Sequence, residues 1–379
     1  MRETLTGRQR VLRAIERKPL DRMPIDLGCH FSTGISAFAY QRLREHLGLD
    51  TGNIELIDQT QLLARVDEDI LDRFHADTIL LNPPWPEHRT WNPRGDFRFQ
   101  ASSRFTPTQM PDGAWRFTDL PDGGIMPAGG FFFDGRIPDG YGLEAPDRLK
   151  LFAGRAEKLY KETDRFTMLM GFSAFFDGID FACDMLTDPE ACKVLNERRL
   201  GEQIERFDLI NRTYGRYIQA IAVNSDLGMQ TGPMTGPEPY REICMPYLKR
   251  FCRHVHETSE IKIFLHACGA LAELLPSIVE AGVDALNPVQ ISARGMDPAL
   301  LKARYGERIC FWGGGCDTQN VLWRATPEEV STHVKGLIDI FKPGGGFVFN
   351  QVHNIMGDVP PENVVALYDT AYANSFYEA

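Results

Sequence analysis

The chain has 379 residues, of which 43% are hydrophobic and 25% are charged, and its formal net charge is −11. These fractions are ordinary for a folded globular protein, so they exclude a disordered chain, a collagen-like repeat and a small disulfide scaffold. The acidic balance, without a basic tail, also argues against nucleic-acid binding. The length suits one large α/β domain with insertions or two smaller domains.

The first ten residues are too polar for a signal peptide, and no segment approaches the roughly 20 apolar residues that a membrane span needs. The eight cysteines are scattered along the chain. That distribution is typical of reduced thiols rather than of a disulfide framework. We therefore expect a cytoplasmic protein that does not span a membrane.

Eight short apolar runs, most of them ending in a polar residue or a glycine, are the main signal for the fold. In chain order they lie at 24–28, 78–82, 167–171, 221–225, 261–266, 284–288, 309–313 and 346–350. Such runs are typical of strands buried on both faces of a parallel sheet.

The segments between these runs predict helices. Amphipathic segments lie at 190–221, 239–257 and 271–281, and two further helices are expected to start at Thr326 and Pro360. Eight βα units predict a (β/α)8 TIM barrel. An open doubly wound sheet is less favoured, since no Gly-x-Gly-x-x-Gly follows the first run.

Residues 86–145 interrupt this rhythm because they are rich in proline, glycine, aspartate and aromatic residues. Alternating pieces at 96–100 and 114–118 flank Asp112-Gly113, which is a turn signal for a hairpin. We expect a small antiparallel insertion after the second strand, over one end of the barrel. It would serve as a structural flap, a lid or a contact between the subunits of a homodimer, and the sequence leaves these three open.

The sharpest chemical feature is His266-Ala-Cys268 at the end of the fifth run. Active sites of parallel barrels lie at the carboxyl ends of the strands. An imidazole and a thiolate two residues apart suit a borderline-soft ion such as Zn²⁺. His353, after the eighth run, is the first choice for a third ligand, and Cys316 is the alternative. The competing interpretation is that His266 makes a hydrogen bond at the rim and Cys268 packs.

Other polar residues follow the same strand ends. The carboxylates Asp226 and Asp317 are candidate catalytic groups, since a rim carboxylate can orient a metal-bound histidine or act as a general base. Each could equally cap its own loop. The candidates for substrate binding are His30, Asn82, Asn224, Gln230, Asn287, Gln290 and Gln319.

Several motifs resemble the uroporphyrinogen decarboxylase superfamily. They are the segments TGRQRVLRAI at 6–15, DRMP at 21–24, DALNPVQ at 284–290, FWGGGCDTQ at 311–319 and GGFVFNQVHNI at 345–355. The resemblance spans most of the chain and is most specific after residue 224. It implies a single barrel domain over residues 1–379, with the insertion at about 86–145.

The superfamily has two main branches. The true decarboxylases use an arginine-rich segment after the first strand and an aspartate after the second, and this chain has Gly28-Cys-His-Phe and Asn82-Pro-Pro-Trp there. The cobalamin-associated methyltransferases bind zinc through His-x-Cys and a later cysteine. His266 and Cys268 match that pattern, and the later cysteine falls on His353.

The second branch implies a zinc-dependent methyltransferase that moves a methyl group between a small methyl ether or thiol and cobalamin. No Asp-x-His-x-x-Gly motif is present, so the corrinoid would come on a partner protein. A corrinoid-independent zinc lyase or hydrolase, a metal-free decarboxylase and a catalytically silent binding protein are the alternatives.

Overall fold

The computed structural model describes residues 3–377 as a mixed α/β fold. The strands are β1 (Ile54–Asp58), β2 (Leu63–Ala64), β3 (Thr78–Leu80), β4 (His88–Trp91), β5 (Phe99–Ser102), β6 (Thr108–Gln109), β7 (Trp115–Arg116), β8 (Ile125–Met126), β9 (Phe166–Ser173), β10 (Ala220–Asn224), β11 (Lys262–His266), β12 (Ala285–Asn287), β13 (Cys310–Trp312) and β14 (Phe347–Val348). The α-helices are α1 (Gly7–Ile15), α2 (Ala37–His46), α3 (Glu68–Arg73), α4 (Ala145–Glu162), α5 (Gly178–Thr187), α6 (Pro189–Tyr214), α7 (Pro237–Ile243), α8 (Met245–Thr258), α9 (Leu275–Ala281), α10 (Pro298–Tyr305), α11 (Pro327–Phe341) and α12 (Pro361–Ala373).

A parallel sheet of seven strands is the centre of the fold. Its order is β14-β13-β12-β11-β10-β9-β3, and each neighbouring pair is parallel. All seven strands coincide with predicted apolar runs, and helices follow most of them along the chain. The sheet is curved and consistent with a TIM-like barrel, so the expected fold class is confirmed at that level.

The first predicted strand, at 24–28, was wrong as a regular strand. The segment forms one isolated parallel bridge, between Ile25 and Phe349. Its backbone still joins both edges of the sheet, because Asp26 N–H donates to the Phe349 carbonyl and Asp77 N–H donates to the Ile25 carbonyl. Pro24 has no N–H to extend a ladder. The position of the eighth strand is therefore filled by an irregular segment.

Three predicted helices have different bounds from those expected. The helix predicted at 271–281 begins at Leu275. The helix predicted at 190–221 ends at Tyr214, and a single 3₁₀ turn at Gly215–Tyr217 leads into β10. The helix predicted at 239–257 is split at Cys244 into α7 and α8. The start near Thr326 is confirmed, because its side chain accepts a hydrogen bond from Glu329 N–H in a capping box.

Helix α1 closes the amino end of the sheet's interior. Val11, Ala14 and Ile15 pack with the side chains of the strands in one buried cluster that includes Phe264 and Trp312. This packing leaves the carboxyl ends of the strands as the open end. None of the helices in the part of the chain that the structure describes is long and apolar enough to cross a membrane.

The insertion consists of two small sheets. In one, β4 and β5 are antiparallel, and β5 also runs parallel to β1, which precedes β3 in the chain. In the other, β6, β7 and β8 are antiparallel, and Asp112-Gly113 lies in the turn between β6 and β7. The predicted piece at 96–100 pairs with β1 and β4 rather than with the segment at 114–118.

Candidate metal centre and adjoining cavity

Three predicted metal ligands lie together at the carboxyl ends of the strands. His266 ends β11, Cys268 follows two residues later, and His353 lies in the loop after β14. One donor atom from each residue lies within 4.8 Å of the donor atoms of the other two. Cys316, the alternative third ligand, is fully buried and is not part of this group.

The separation of two of the three donors matches that of zinc ligands. Cys268 Sγ lies 3.6 Å from His266 Nε2. Tetrahedral zinc with Zn–N of about 2.05 Å and Zn–S of about 2.3 Å places a nitrogen and a sulfur ligand about 3.6 Å apart. Three protein donors leave the fourth position of a tetrahedral ion free, as in catalytic zinc sites.

Asn287 orients His266 for this role. Asn287 Nδ2 donates to the carbonyl oxygen of Trp312 at 3.0 Å, so its Oδ1 faces His266 Nδ1, which is 2.8 Å away. Because this oxygen can only accept, Nδ1 carries the ring proton and Nε2 presents its lone pair beside Cys268. Asn287 is fully buried. The structure places it behind the imidazole, and its predicted role in substrate binding stays a prediction.

Burial favours the neutral form of both imidazoles, which is the form that binds a metal. It lowers the pKa of His266, and it lowers that of His353 to about 4. Burial also raises the pKa of the Cys268 thiol, and a bound cation would favour its thiolate. His353 has a φ of 62°, in the left-handed region that histidine enters more readily than β-branched residues do.

Asp226 is the predicted catalytic residue that lies at this centre. Its Oδ1 accepts a hydrogen bond from Cys268 N–H at 3.4 Å and lies 3.6 Å from His266 Nε2. The side chain is 59% exposed, so a ligand or solvent can reach it. The carboxylate is placed to exchange a proton with a group bound at the three donors.

His30 and Asn224 extend the site toward the amino-terminal half of the chain. The His30 ring lies 5.2 Å from the His266 ring, between centroids, and its Nε2 is 3.2 Å from Asn224 Oδ1. Ser32 Oγ connects the two rings through Asn287. It lies 2.7 Å from His30 Nδ1 and donates to Asn287 Oδ1, which also contacts His266 Nδ1. Both predicted residues are therefore beside the candidate metal ligands.

The predicted glutamines hold the loops around the centre. Gln290 Oε1 accepts from Gly269 N–H, directly after Cys268, and Gln290 Nε2 donates to Gln230 Oε1 at 2.8 Å. Gln319 lies further out, where its Oε1 accepts from Ser292 Oγ. Gln290 and Gln230 thus support the backbone that carries Cys268.

Asp317 lies outside the group of three donors. Its Oδ1 accepts from the backbone N–H groups of Gln319 and Asn320, and its Oδ2 accepts from Asn320 Nδ2. Its own N–H donates to His333 Nε2. These contacts are those of a loop cap, and a catalytic role for Asp317 stays a prediction.

A cavity of about 480 Å³ adjoins the metal centre on the side of His30 and Asn224. The residues that line it come from β1, β3, β9 and β10, from the loops after β1 and β3, from the loop before α2, from the end of the insertion and from α4. They are Phe31, Ile57, Asp58, Gln59, Leu80, Leu81, Asn82, Trp85, Ile137, Pro138, Asp139, Gly140, Tyr141, Arg148, Phe152, Leu169, Met170, Gly171 and Asn224. Asn82, a predicted substrate residue, lies in this wall, where Tyr141 Oη donates to its Oδ1.

Asp58 also lines this cavity and was not among the residues predicted from the sequence. It ends β1 and is buried, and burial raises the pKa of its carboxyl. The sequence signal that could have identified it is the alternating apolar segment Ile54–Asp58. This segment ends in a carboxylate, and most of the predicted strands likewise end in a polar residue. This segment lies outside the βα rhythm and pairs with the insertion.

The fold and site define an α/β barrel-like protein with a candidate metal centre at its mouth, and known proteins support the resemblance. Residues 208–373 match the family model described as uroporphyrinogen decarboxylase (URO-D). The chain is similar to the uroporphyrinogen decarboxylases of Psychromonas ingrahamii, at 28% identity over 144 residues, and Thioalkalivibrio sulfidiphilus, at 30% over 161 residues. These matches cover 37% and 41% of this chain and 38% and 41% of the relatives, so they span about two fifths of the length of the relatives.

Among solved structures, the fold is similar to a methyltransferase from Methanosarcina mazei. The TM-score is 0.59 at 13% sequence identity, and the match covers 98% of this chain and 99% of that one. At this identity the likeness concerns the fold alone. The sequence matches therefore cover part of the chain, and the structural match, which covers nearly all of it, concerns the fold.

Proposed function

We propose that this protein is a zinc-dependent methyltransferase that acts with a corrinoid protein and moves a methyl group between cobalamin and a small methyl ether or thiol. The observation that carries the proposal is the group of His266, Cys268 and His353, with donor atoms within 4.8 Å of one another at the open end of the sheet. The methyltransferase with the similar fold supports it more weakly.

The residues of the site divide the work in this proposal. His266, Cys268 and His353 would hold zinc, which when bound supplies a Lewis acid for the sulfur or oxygen of the substrate. Asn287 keeps His266 Nε2 unprotonated through its contact with Nδ1. Asp226 would accept the proton that a thiol releases on binding. With a methyl ether it would instead pass a proton from solvent to the leaving oxygen, because its carboxylate borders the ligands and is open to solvent.

The cavity argues against the decarboxylation of a tetrapyrrole that carries eight carboxylates. Two carboxylates, Asp58 and Asp139, line the cavity. Arg148 is the one arginine among its lining residues and is paired with Asp139. A polyanion would meet net negative charge there, which costs free energy in a partly desolvated site.

Elemental analysis of the purified protein tests the proposal. We expect about one zinc per chain in the wild type and loss of zinc in Cys268→Ser and His353→Ala, with the fold kept, since strand ends contribute little to the core. Cys316→Ser is the matched control, because this buried cysteine lies outside the donor group, and it should keep its zinc.

A wild type without metal after purification without chelator would remove the methyltransferase proposal. If zinc is present, transfer of a methyl group from methyl ethers or to thiols should require an added corrinoid protein. Turnover by the purified protein alone would instead favour a zinc lyase or hydrolase.

A further inference from the structure

We propose that the cavity beside the metal centre binds an organic cation, with its ammonium group held by Asp58 and its apolar body held among aromatic side chains. The identification of this ligand as the methyl-bearing substrate rests on the proposed function. The binding site itself rests on the cavity and can be tested without any methyl transfer.

The cavity is placed for a substrate. Asn224 lies in its wall and contacts His30 Nε2, and the His30 ring lies beside that of His266. Phe31, also in the wall, follows His30 directly. A volume of about 480 Å³ falls within the roughly 300–1,000 Å³ of small-molecule sites. A ligand held here would therefore have one end next to the metal ligands.

Asp58 is a buried carboxyl without a cationic partner. Its Oδ1 accepts from Thr60 N–H at 2.9 Å and its Oδ2 accepts from Gln61 Nε2 at 2.9 Å. Within residues 3–377 it forms no ion pair with a lysine, arginine or histidine, although many other carboxylates of the chain do. Gln61 N–H contributes a further hydrogen bond to the carboxyl, so three of about four acceptor sites are used and one stays free. A buried charge is normally paired, so this carboxyl lacks a cation that a ligand can supply.

The rest of the wall suits the body of such a ligand. Trp85 Nε1 donates to the Leu56 carbonyl, and Tyr141 Oη is engaged by Asn82 and Pro83. The polar atoms of both side chains are thus occupied. Arg148 lies over the Tyr141 ring, 5.2 Å from its centroid, and the Trp85 ring contributes apolar surface to the wall. Aromatic rings stabilise ammonium groups within about 6 Å by cation–π attraction.

The charge of the wall selects against anions. Arg148 pairs with Asp139 at the edge of the cavity, and this leaves Asp58 as the uncompensated charge. An anionic ligand would add a second negative charge to a desolvated region, whereas a neutral alcohol would satisfy an acceptor of Asp58 and leave its charge unpaired. An organic cation would donate a hydrogen bond to Asp58 and would also pair its charge.

Three probes of matched shape test the proposal by calorimetric titration: 2-phenylethylamine, 2-phenylethanol and phenylacetate. We expect the amine to bind the wild type roughly tenfold to a hundredfold more tightly than the alcohol, as for a hydrogen bond to a charged group. Phenylacetate should not bind measurably. In Asp58→Asn the preference for the amine should disappear while the affinity for the alcohol is kept, and circular dichroism should show an unchanged fold.

Asp119→Asn is the control variant. Asp119 is an exposed carboxylate of the insertion and is not among the residues that line the cavity, so this variant should keep the preference for the amine. Loss of the preference in Asp119→Asn to the same extent as in Asp58→Asn, its survival in Asp58→Asn, equal affinity for amine and alcohol in the wild type, or no binding of the amine would each overturn the proposal.

The titrations are repeated on chelator-treated protein, so the two proposals are judged separately. Selective amine binding by a protein without methyl transfer would reject the proposed function and keep the cation site. Methyl transfer by a protein whose cavity shows no preference for the amine would keep the proposed function and reject the cation site.

Discussion

The two sides of the barrel mouth are built in different ways. On the metal side, His266, Cys268, Asn287 and His353 come from strand ends and the loops that directly follow them. On the cavity side, Asp58, Trp85 and Tyr141 come from an extra strand, an irregular segment and the end of the insertion. The metal side lies within residues 208–373, the region that matches the family model, and nearly all of the cavity wall lies outside it.

This difference separates reaction chemistry from substrate selection. A metal centre needs donors at fixed separations, and strand ends of a parallel sheet supply them. A cavity wall can change with the chain that covers it, since loops and insertions tolerate variation more than the scaffold does. We therefore expect changes on one side to affect metal binding and changes on the other to affect ligand binding, with little crossover.

The largest effect should follow Asn287→Ala. The change leaves His266 Nδ1–H and the Trp312 carbonyl without their partner. Loss of a residue that orients a metal-bound histidine typically lowers metal affinity roughly tenfold to a hundredfold. Competition with a colorimetric chelator measures this. Asn82→Ala, on the cavity side, should leave zinc affinity unchanged, and an equal loss in both variants would remove the distinction between the two sides.

A smaller effect concerns the stability of the cavity side. Burial raises the pKa of Asp58 above its usual value of 3.8, so ionisation of this carboxyl costs more free energy in the folded state than in the unfolded state. Asp58→Asn should raise the free energy of unfolding at pH 7 by about 1 kcal/mol, as functional residues often limit stability. The asparagine keeps an acceptor for Thr60 N–H.

The sign of the pH dependence follows from linkage. Above its raised pKa, Asp58 is ionised in both states and the folded state is disfavoured. As the pH falls through that pKa, the folded state takes up a proton first, and the wild type gains stability relative to the variant. Below 3.8 both states are protonated and the difference should vanish. Urea unfolding from pH 8 to 3 measures it, and a gap that widens on acidification would contradict the assignment.

The smallest effect should follow Gln290→Ala. Gly269 N–H loses its acceptor, but water can replace a partly buried partner, so zinc affinity should fall about twofold, at the low end for one hydrogen bond. Gln319→Ala is the matched control, because Gln319 contacts Ser292 rather than the backbone next to Cys268. A loss as large as that in Asn287→Ala would mean that the loop, rather than the imidazole orientation, controls the metal.

The sequence allowed most of the metal side to be predicted because both the strands and their last residues are visible in it. His266 and Cys268 follow a continuous apolar run, and parallel strands bring such ends to one edge of a sheet. Asn287 was recognised as a polar strand end, but whether its amide faces a ligand or an imidazole depends on tertiary packing.

The cavity side was much less predictable for physical reasons. Asp58 ends a strand that pairs with Phe99–Ser102 of the insertion. No local sequence pattern indicates a partner strand that lies some 40 residues away. Asp317 shows the opposite problem, since an aspartate before polar residues reads equally as a catalytic group or a loop cap. At 24–28 the apolar run was clear, but proline and a buried aspartate reduced the expected strand to a single bridge.

The closure of the sheet by residues 24–28 has a consequence for synthesis of the chain. This segment bonds with the region around Phe349, and the contact between Asn350 and the Asp26 carbonyl joins residues 324 positions apart. A ribosome therefore releases the first segment long before its last neighbour exists. Until β14 emerges, two sheet edges stay unpaired, and unpaired edges promote aggregation. Chains truncated before residue 347 should depend on chaperones far more than the full chain does.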